Sequence, residues 1–202
     1  MTTLRSQTGN KVQSGIQNHN LTQVIPFISF LSNNDNIKIA VGCQIHSANI
    51  VDIFSNNFSQ NEKVLNYPDT DGLITNCRKI ALCVFTADCL PIFLYDQKNH
   101  VIGLIHAGRK GTECRISEIA VQRMIENHQS NPKDIIALIG PSIGPCCYPI
   151  DLWEANKKQL QKCGLVLIIN PEICTGCNIE YFYSYRKEKG INKRIISILM
   201  MK

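Results

Sequence analysis

A chain of 202 residues with 44% hydrophobic and 18% charged residues can build a core, so global disorder is excluded. The net charge of +5 is dispersed and contains no block of five like charges, which favours a phosphate or other small anion over a nucleic-acid groove. No apolar run reaches the roughly 18 residues that a membrane span needs, and the first residues lack the apolar centre of a signal peptide, so a cytoplasmic protein is expected.

Residues 1–22 are polar and rich in Asn and Gln, and read as a loosely structured start. Residues 23–202 read as one α+β domain, with no internal repeat and no linker. Val24 to Leu31 suits a strand or a short helix, weakened by Pro26. Ile37 to Val41 alternates as a strand, continues through Gln44, Ile45 and His46, and places His46 near its end. Ile50 to Ile53 is a further strand. Asn56 to Tyr67 is polar and reads as loop, Asp69 to Gly72 as a turn, and Leu73 to Thr75 as a strand. Ile80 to Thr86, Pro91 to Tyr95 and Val101 to His106 are short apolar runs bounded by turn residues, hence neighbouring strands. Cys89 and His106 stand at the ends of such runs and become candidates for one site at a sheet edge.

Ala107 to Thr112 is a basic, Gly-containing loop. It opens a helix over about Glu113 to His128, with Thr112 as N-cap. Lys110 beside that helix start is a candidate anion contact. Ile135 to Ile139 is a strand, followed by the Gly140 to Tyr148 loop with its two Gly-Pro steps. Cys146, Cys147 and Tyr148 suit a pocket wall there. Asp151 with Glu154 resembles a capping box for a helix to about Cys163, stopped by Gly164. Leu165 to Ile169, the aromatic Tyr181 to Tyr185 and Arg194 to Met200 complete the β-prone segments.

Ten cysteines are many for a chain without an export signal, and they shift weight from disulfides toward metal binding or catalysis. Cys174 and Cys177 have CxxC spacing. No second CxxC accompanies them, so a zinc ribbon is weakly supported, and most of the thiols read as small apolar residues. His46, Cys89 and His106 form a different set. Two imidazoles and a thiolate are good zinc ligands, and three protein ligands leave a fourth position open, the catalytic pattern. The competing reading of Cys89 and His106 is a buried thiol and a satisfied histidine.

Gln44 to His46, Thr70 to Thr75, Thr86 to Ile92, His106 to Gly108 and Gly140 to Tyr148 follow one another in an order that resembles the YfiH/laccase-domain family. That family is also known as multicopper polyphenol oxidoreductases or purine nucleoside phosphorylases. The resemblance runs from about residue 37 to the end and includes Cys174-Thr175 and the Phe182 to Lys187 segment. It implies an α/β/β/α sandwich and a zinc site at His46, Cys89 and His106. It implies phosphorolysis of adenosine, inosine and 5′-methylthioadenosine, with adenosine deaminase activity, and so a purine nucleoside and phosphate as partners. No nucleic-acid or membrane partner is expected, and the chain is read as a monomer or small homo-oligomer.

Within that reading, Cys89, His106 and Asp88 are the candidate catalytic residues. Asp88 either relays protons or caps its turn. Lys110, Arg109, Tyr148, Arg186 and Lys187 are candidate substrate and phosphate contacts. Three departures stand out. Arg109 takes the place of a tryptophan, Lys187 takes the place of an arginine, and the early Arg-Gly-Gly segment is degenerate around Arg5 to Gly15. The alternatives are a copper-dependent, laccase-like polyphenol oxidase binding Cu2+, a hydrolase with Cys89 as nucleophile and His106 as base, and a degenerate non-catalytic member. Five histidines are too few for a multinuclear copper cluster.

Overall fold

The computed structural model describes residues 37–59 and 62–202. The expectations for residues 1–22 and for Val24 to Leu31 lie outside the described residues. The chain forms two packed sheets. The first has the order β10-β5-β1-β3, from β1 (Lys38–Gly42), β3 (Val64–Tyr67), β5 (Ile80–Thr86) and β10 (Ile195–Met200). The second has the order β2-β4-β7-β6-β8-β9, from β2 (Ile50–Asp52), β4 (Gly72–Thr75), β6 (Leu90–Asp96), β7 (Val101–Ala107), β8 (Ile135–Ile139) and β9 (Leu167–Ile169). Two helices, α2 (Ile116–His128) and α3 (Leu152–Lys162), cover the outer face of the six-stranded sheet, preceded by the short α1 (Arg109–Glu113). The two sheets and one helical layer match three layers of the sandwich that the resemblance implies, and no helix covers the outer face of the first sheet among the described residues.

Side-chain alternation along the strands builds the layers. Leu82, Val84, Leu73 and Leu104 point between the two sheets. Their neighbours Ile74 and Ile105 point the other way, where Ile116, Ala120 and Met124 of α2 close over them. Strand β5 is buried on both faces, which is why Ile80 to Phe85 reads as an unbroken apolar run. After β5 the chain leaves the first sheet through Ala87 to Cys89 and enters the second at β6. Pro91 of β6 stands opposite His106 of β7. The crossing therefore delivers Cys89 beside His106.

Several local expectations are corrected. Strand β1 stops at Gly42 and does not reach His46, because the Gln44 side-chain amide takes both the N–H and the C=O of Phe85. Val64–Tyr67 is not loop but a strand parallel to β1, in register with Ile39 to Gly42. Thr112 is not an N-cap. Gly108 caps α1, and the Thr112 hydroxyl accepts from Asn156 Nδ2 at 2.9 Å. The expected helix is broken at Arg115, whose φ of 62° is left-handed. Tyr181 to Tyr185 is turn, not strand. Its backbone reverses so that Arg186 N–H donates to Asp88 Oδ2 at 2.8 Å. The α3 start follows expectation, with Asp151 accepting from Glu154 N–H at 3.0 Å, and Gly164 ends it at φ +92°.

Candidate active site

His46, Cys89 and His106 converge, with their ligand atoms all within 4.8 Å of one another. They come from three different places. His106 is on β7, Cys89 is the last residue before β6, and His46 lies in the loop after β1. One buried carboxylate organises the two histidines. Asp71 Oδ1 lies 2.8 Å from His106 Nδ1. The same carboxylate accepts the backbone N–H of His46 at 3.0 Å and of Ser47 at 2.8 Å, and the Ser47 hydroxyl at 2.7 Å. Those bonds hold His46 in a left-handed turn of φ 63°. A carboxylate only accepts, so Nδ1 of His106 carries a proton toward Asp71, and Nε2 is the nitrogen that would give up its proton to serve as a ligand. Asp71 sits in the Asp69 to Gly72 segment that the sequence marks as a turn. Its role was legible only through the strand pairing that lays Gly72 against Ile105.

Gly108 completes the floor. A Cβ there would stand 2.9 Å from His46 Cδ2 and 3.0 Å from Cys89 Sγ. Its φ of −77° is ordinary, so lack of room excludes a side chain. The charges within the cluster are coupled. Burial raises the Cys89 thiol, but His106 and His46 outweigh it and bring it down to about 6. Burial lowers His106, while the Cys89 thiolate and Asp71 raise it to about 9. Burial raises Asp71, and its bonds to His106 and Ser47 hold it below the usual carboxylate range. The cluster thus stabilises a thiolate, the protonation state a metal ligand or a nucleophile requires.

The family model described as multi-copper polyphenol oxidoreductase laccase matches residues 30–151 and 149–202. The chain belongs to this family. It is 34% identical over 164 residues to the purine nucleoside phosphorylase YlmD of Bacillus subtilis, a match covering 66% of this chain and 59% of that protein. It is 29% identical over 187 residues to the purine nucleoside phosphorylase CA_C1699 of Clostridium acetobutylicum, covering 76% and 79%. The matched region therefore spans about three fifths of the Bacillus relative's length. Among solved structures, the hypothetical protein YfiH of Bacillus licheniformis superposes with a TM-score of 0.81 at 27% identity, covering 90% of this chain and 82% of that one.

In this family member a cleft of about 790 Å³ opens over the His46–Cys89 side of the cluster. Asp88, Arg109, Tyr148, Tyr185 and Arg186 line it. The Arg186 guanidinium lies over the Tyr148 ring, 4.6 Å from its centre. Arg109 is exposed and pairs with Glu113 at 2.8 Å. Lys110 and Lys187 are also exposed but do not line the cleft; Lys187 runs along the Gly176 turn. Asp88 is strained, at φ 86°, and both its carboxylate oxygens are engaged. Oδ1 accepts from the Thr175 hydroxyl and Oδ2 from Arg186 N–H, each at 2.8 Å. No helix among the described residues is long and apolar enough to cross a membrane.

Proposed function

We propose that this chain cleaves purine nucleosides with phosphate, using a zinc centre held by His46, Cys89 and His106. The observation that carries the reading is the convergence of two imidazoles and a lowered-pKa thiol at the floor of a cleft whose walls are aromatic and cationic. The donor set fits the metal. Three ligands of the right softness meet, His106 is oriented from behind by Asp71, and His46 and Cys89 border the cleft. When bound there, zinc supplies a Lewis acid at neutral pH.

The remaining roles fall to side chains. Tyr148 and Tyr185 offer flat walls of the size a purine needs. Arg186 and Arg109 bring two cations to the same cleft, suited to the charge of inorganic phosphate. In phosphorolysis a phosphate oxygen attacks C1′ and the base leaves with the electron pair of the glycosidic bond. The arginines hold the attacking anion in line. Asp88, with both oxygens occupied, is a positioning residue that fixes the Cys89 turn against the Arg186 segment. Adenosine, inosine and 5′-methylthioadenosine are the proposed substrates, with deamination of adenosine as a second reaction at the same floor. The names of the Bacillus and Clostridium relatives support the phosphorylase reading.

A multinuclear copper oxidase fits less well. His100 is bonded to Tyr95 and His128 to Asp52, so neither joins the cluster.

The test is metal content and product analysis on the same preparation. About one zinc lost on Cys89→Ala, together with phosphate-dependent release of adenine from adenosine, is the expected result. Bound zinc with neither base release nor inosine formation would overturn the enzyme reading.

A further inference from the structure

A second cluster lies behind the cleft wall, and none of the roles above uses it. Cys146 and Cys147 are adjacent in the turn after β8. Cys174 and Cys177 flank the Thr175-Gly176 turn. Their four Sγ atoms all lie within 4.8 Å of one another. Cys177 Sγ is 3.4 Å from Cys146 Sγ and 3.5 Å from Cys147 Sγ. A disulfide would require about 2.05 Å. A tetrahedral ion with metal–sulfur bonds of about 2.3 Å sets sulfur–sulfur edges of about 3.8 Å, inside the observed range.

The backbone is built to bring these two turns together. Ser142 N–H donates to Ile173 O at 3.1 Å, and Thr175 N–H donates to Ser142 O at 2.9 Å, forming a parallel bridge between the segments. Gly176 lets them close. A Cβ on it would stand 3.1 Å from both Cβ and Sγ of Cys147. The buried Cys174 sulfur also accepts Gly144 N–H at 3.2 Å, an amide–sulfur bond of the kind that supports metal-bound thiolates. Cys146 and Cys177 are exposed, which leaves an ion a way in.

We propose that Cys146, Cys147, Cys174 and Cys177 form a second, structural metal site that takes Zn2+ as a tetrathiolate. Four protein ligands close the coordination sphere, so this site holds structure and leaves no position for substrate. Four thiols lose their protons on binding, and no electron changes hands. The site is placed to brace the cleft from behind. Tyr148 follows Cys147 directly. Thr175, between the other two ligands, holds the Asp88 carboxylate next to Cys89. The inference does not depend on the reaction at the cleft.

The experiment counts metal in wild-type protein purified with reductant, beside Cys89→Ala and the double variant Cys146→Ser/Cys177→Ser. About two zinc ions per chain are expected in the wild type and about one in each variant. Cobalt-loaded Cys89→Ala should show intense near-ultraviolet sulfur-to-cobalt charge transfer and the visible bands of a tetrahedral tetrathiolate. If the wild type holds a single ion with that signature and Cys89→Ala retains it, the tetrathiolate stands and the cleft metal falls. If Cys89→Ala binds no metal, the tetrathiolate is overturned. It is also overturned if the four thiols of the wild type alkylate at a rate that chelator does not change. Both of these readings are independent of whether the double variant folds.

Discussion

Asp71 Oδ1 and His106 Nδ1 are 2.8 Å apart, and neither side chain is more than 3% exposed. The same carboxylate ties down the backbone of residues 45–47. One acid therefore sets the ring orientation of one histidine and the loop position of the other. Asp71→Asn keeps the shape but removes the charge and forces an amide N–H toward groups that also donate. Metal affinity at the cleft, measured by competition with a chromogenic chelator, should fall about 10- to 100-fold. An unchanged affinity would reduce Asp71 to a turn stabiliser.

The lowered Cys89 thiol gives a pH signature. An ordinary cysteine loses reactivity toward iodoacetamide as the pH falls through about 8.5. Cys89 sits at about 6 because His106 and His46 outweigh its burial. In chelator-treated protein its labelling, followed by peptide mass, should persist at neutral pH and decline only as the pH falls through about 6. Zinc should suppress it. Cys83 is held at about 12 by burial and should remain unlabelled throughout in the folded chain. A Cys89 midpoint near the ordinary value would remove the imidazole coupling from the account.

Gly108→Ala tests room, since the backbone there is in a region any residue adopts. The added methyl would meet His46 Cδ2 and Cys89 Sγ at about 3 Å. Zinc at the cleft should be lost or weakened by at least tenfold, while the far-ultraviolet circular dichroism of the sheets is retained. Full zinc occupancy in this variant would mean that the loop carrying His46 yields easily.

Much of this was legible beforehand, and the gaps have physical causes. Cys89 and His106 announce themselves because each follows an apolar run, and ligands at strand ends gather where strands pair, whereas His46 reaches them from a loop beyond the end of β1. Asp71 did not, because a Thr-Asp-Gly turn looks the same whether its carboxylate faces solvent or a histidine 35 residues away. The cysteine quartet was half visible. Cys174 and Cys177 carry the CxxC spacing, but their partners are the adjacent Cys146 and Cys147, and only the Ser142–Cys174 bridge brings the two pairs together. Val64–Tyr67 was missed for a different reason. A four-residue strand flanked by Lys63 and Pro68 gains its identity from pairing with β1, not from its own composition. The aromatic run Tyr181 to Tyr185 erred the other way. Its β propensity is overridden because Arg186 N–H and Ser184 N–H are both bonded to carboxylates, those of Asp88 and Glu188.

Arg186 has two separable attachments. Its backbone N–H holds Asp88, and its guanidinium lies over Tyr148. Arg186→Ala keeps the first and removes the second. The KM for phosphate should rise about tenfold or more with a smaller change in the KM for nucleoside, as expected for loss of a charged contact to one substrate. Arg186→Lys should recover part of the loss, since it restores charge without the planar fork. Equal effects on both substrates would assign Arg186 to the shape of the cleft and not to phosphate.

Far from the cleft, Asp52 at the end of β2 anchors the C-terminal turn of α2. Its carboxylate accepts from Arg123 Nη1 at 3.1 Å and Asn127 Nδ2 at 2.9 Å, and meets His128 Nε2 at 2.8 Å. Burial raises this acid, but the His128, Asn127 and Arg123 bonds outweigh it and leave it below its ordinary value. The folded carboxylate thus ionises below the unfolded value of about 3.9. Its contribution is therefore fully present above about pH 4 and is lost as the pH falls through the lower, folded value. Asp52→Asn should cost about 1–3 kcal/mol at neutral pH, since three donors lose a charged acceptor in a half-buried place. In urea unfolding at pH 7 and at pH 3, the gap between wild type and variant should be wider at the first than at the second. A gap of the same size at both would show that packing of the side chain, and not its charge, joins β2 to α2.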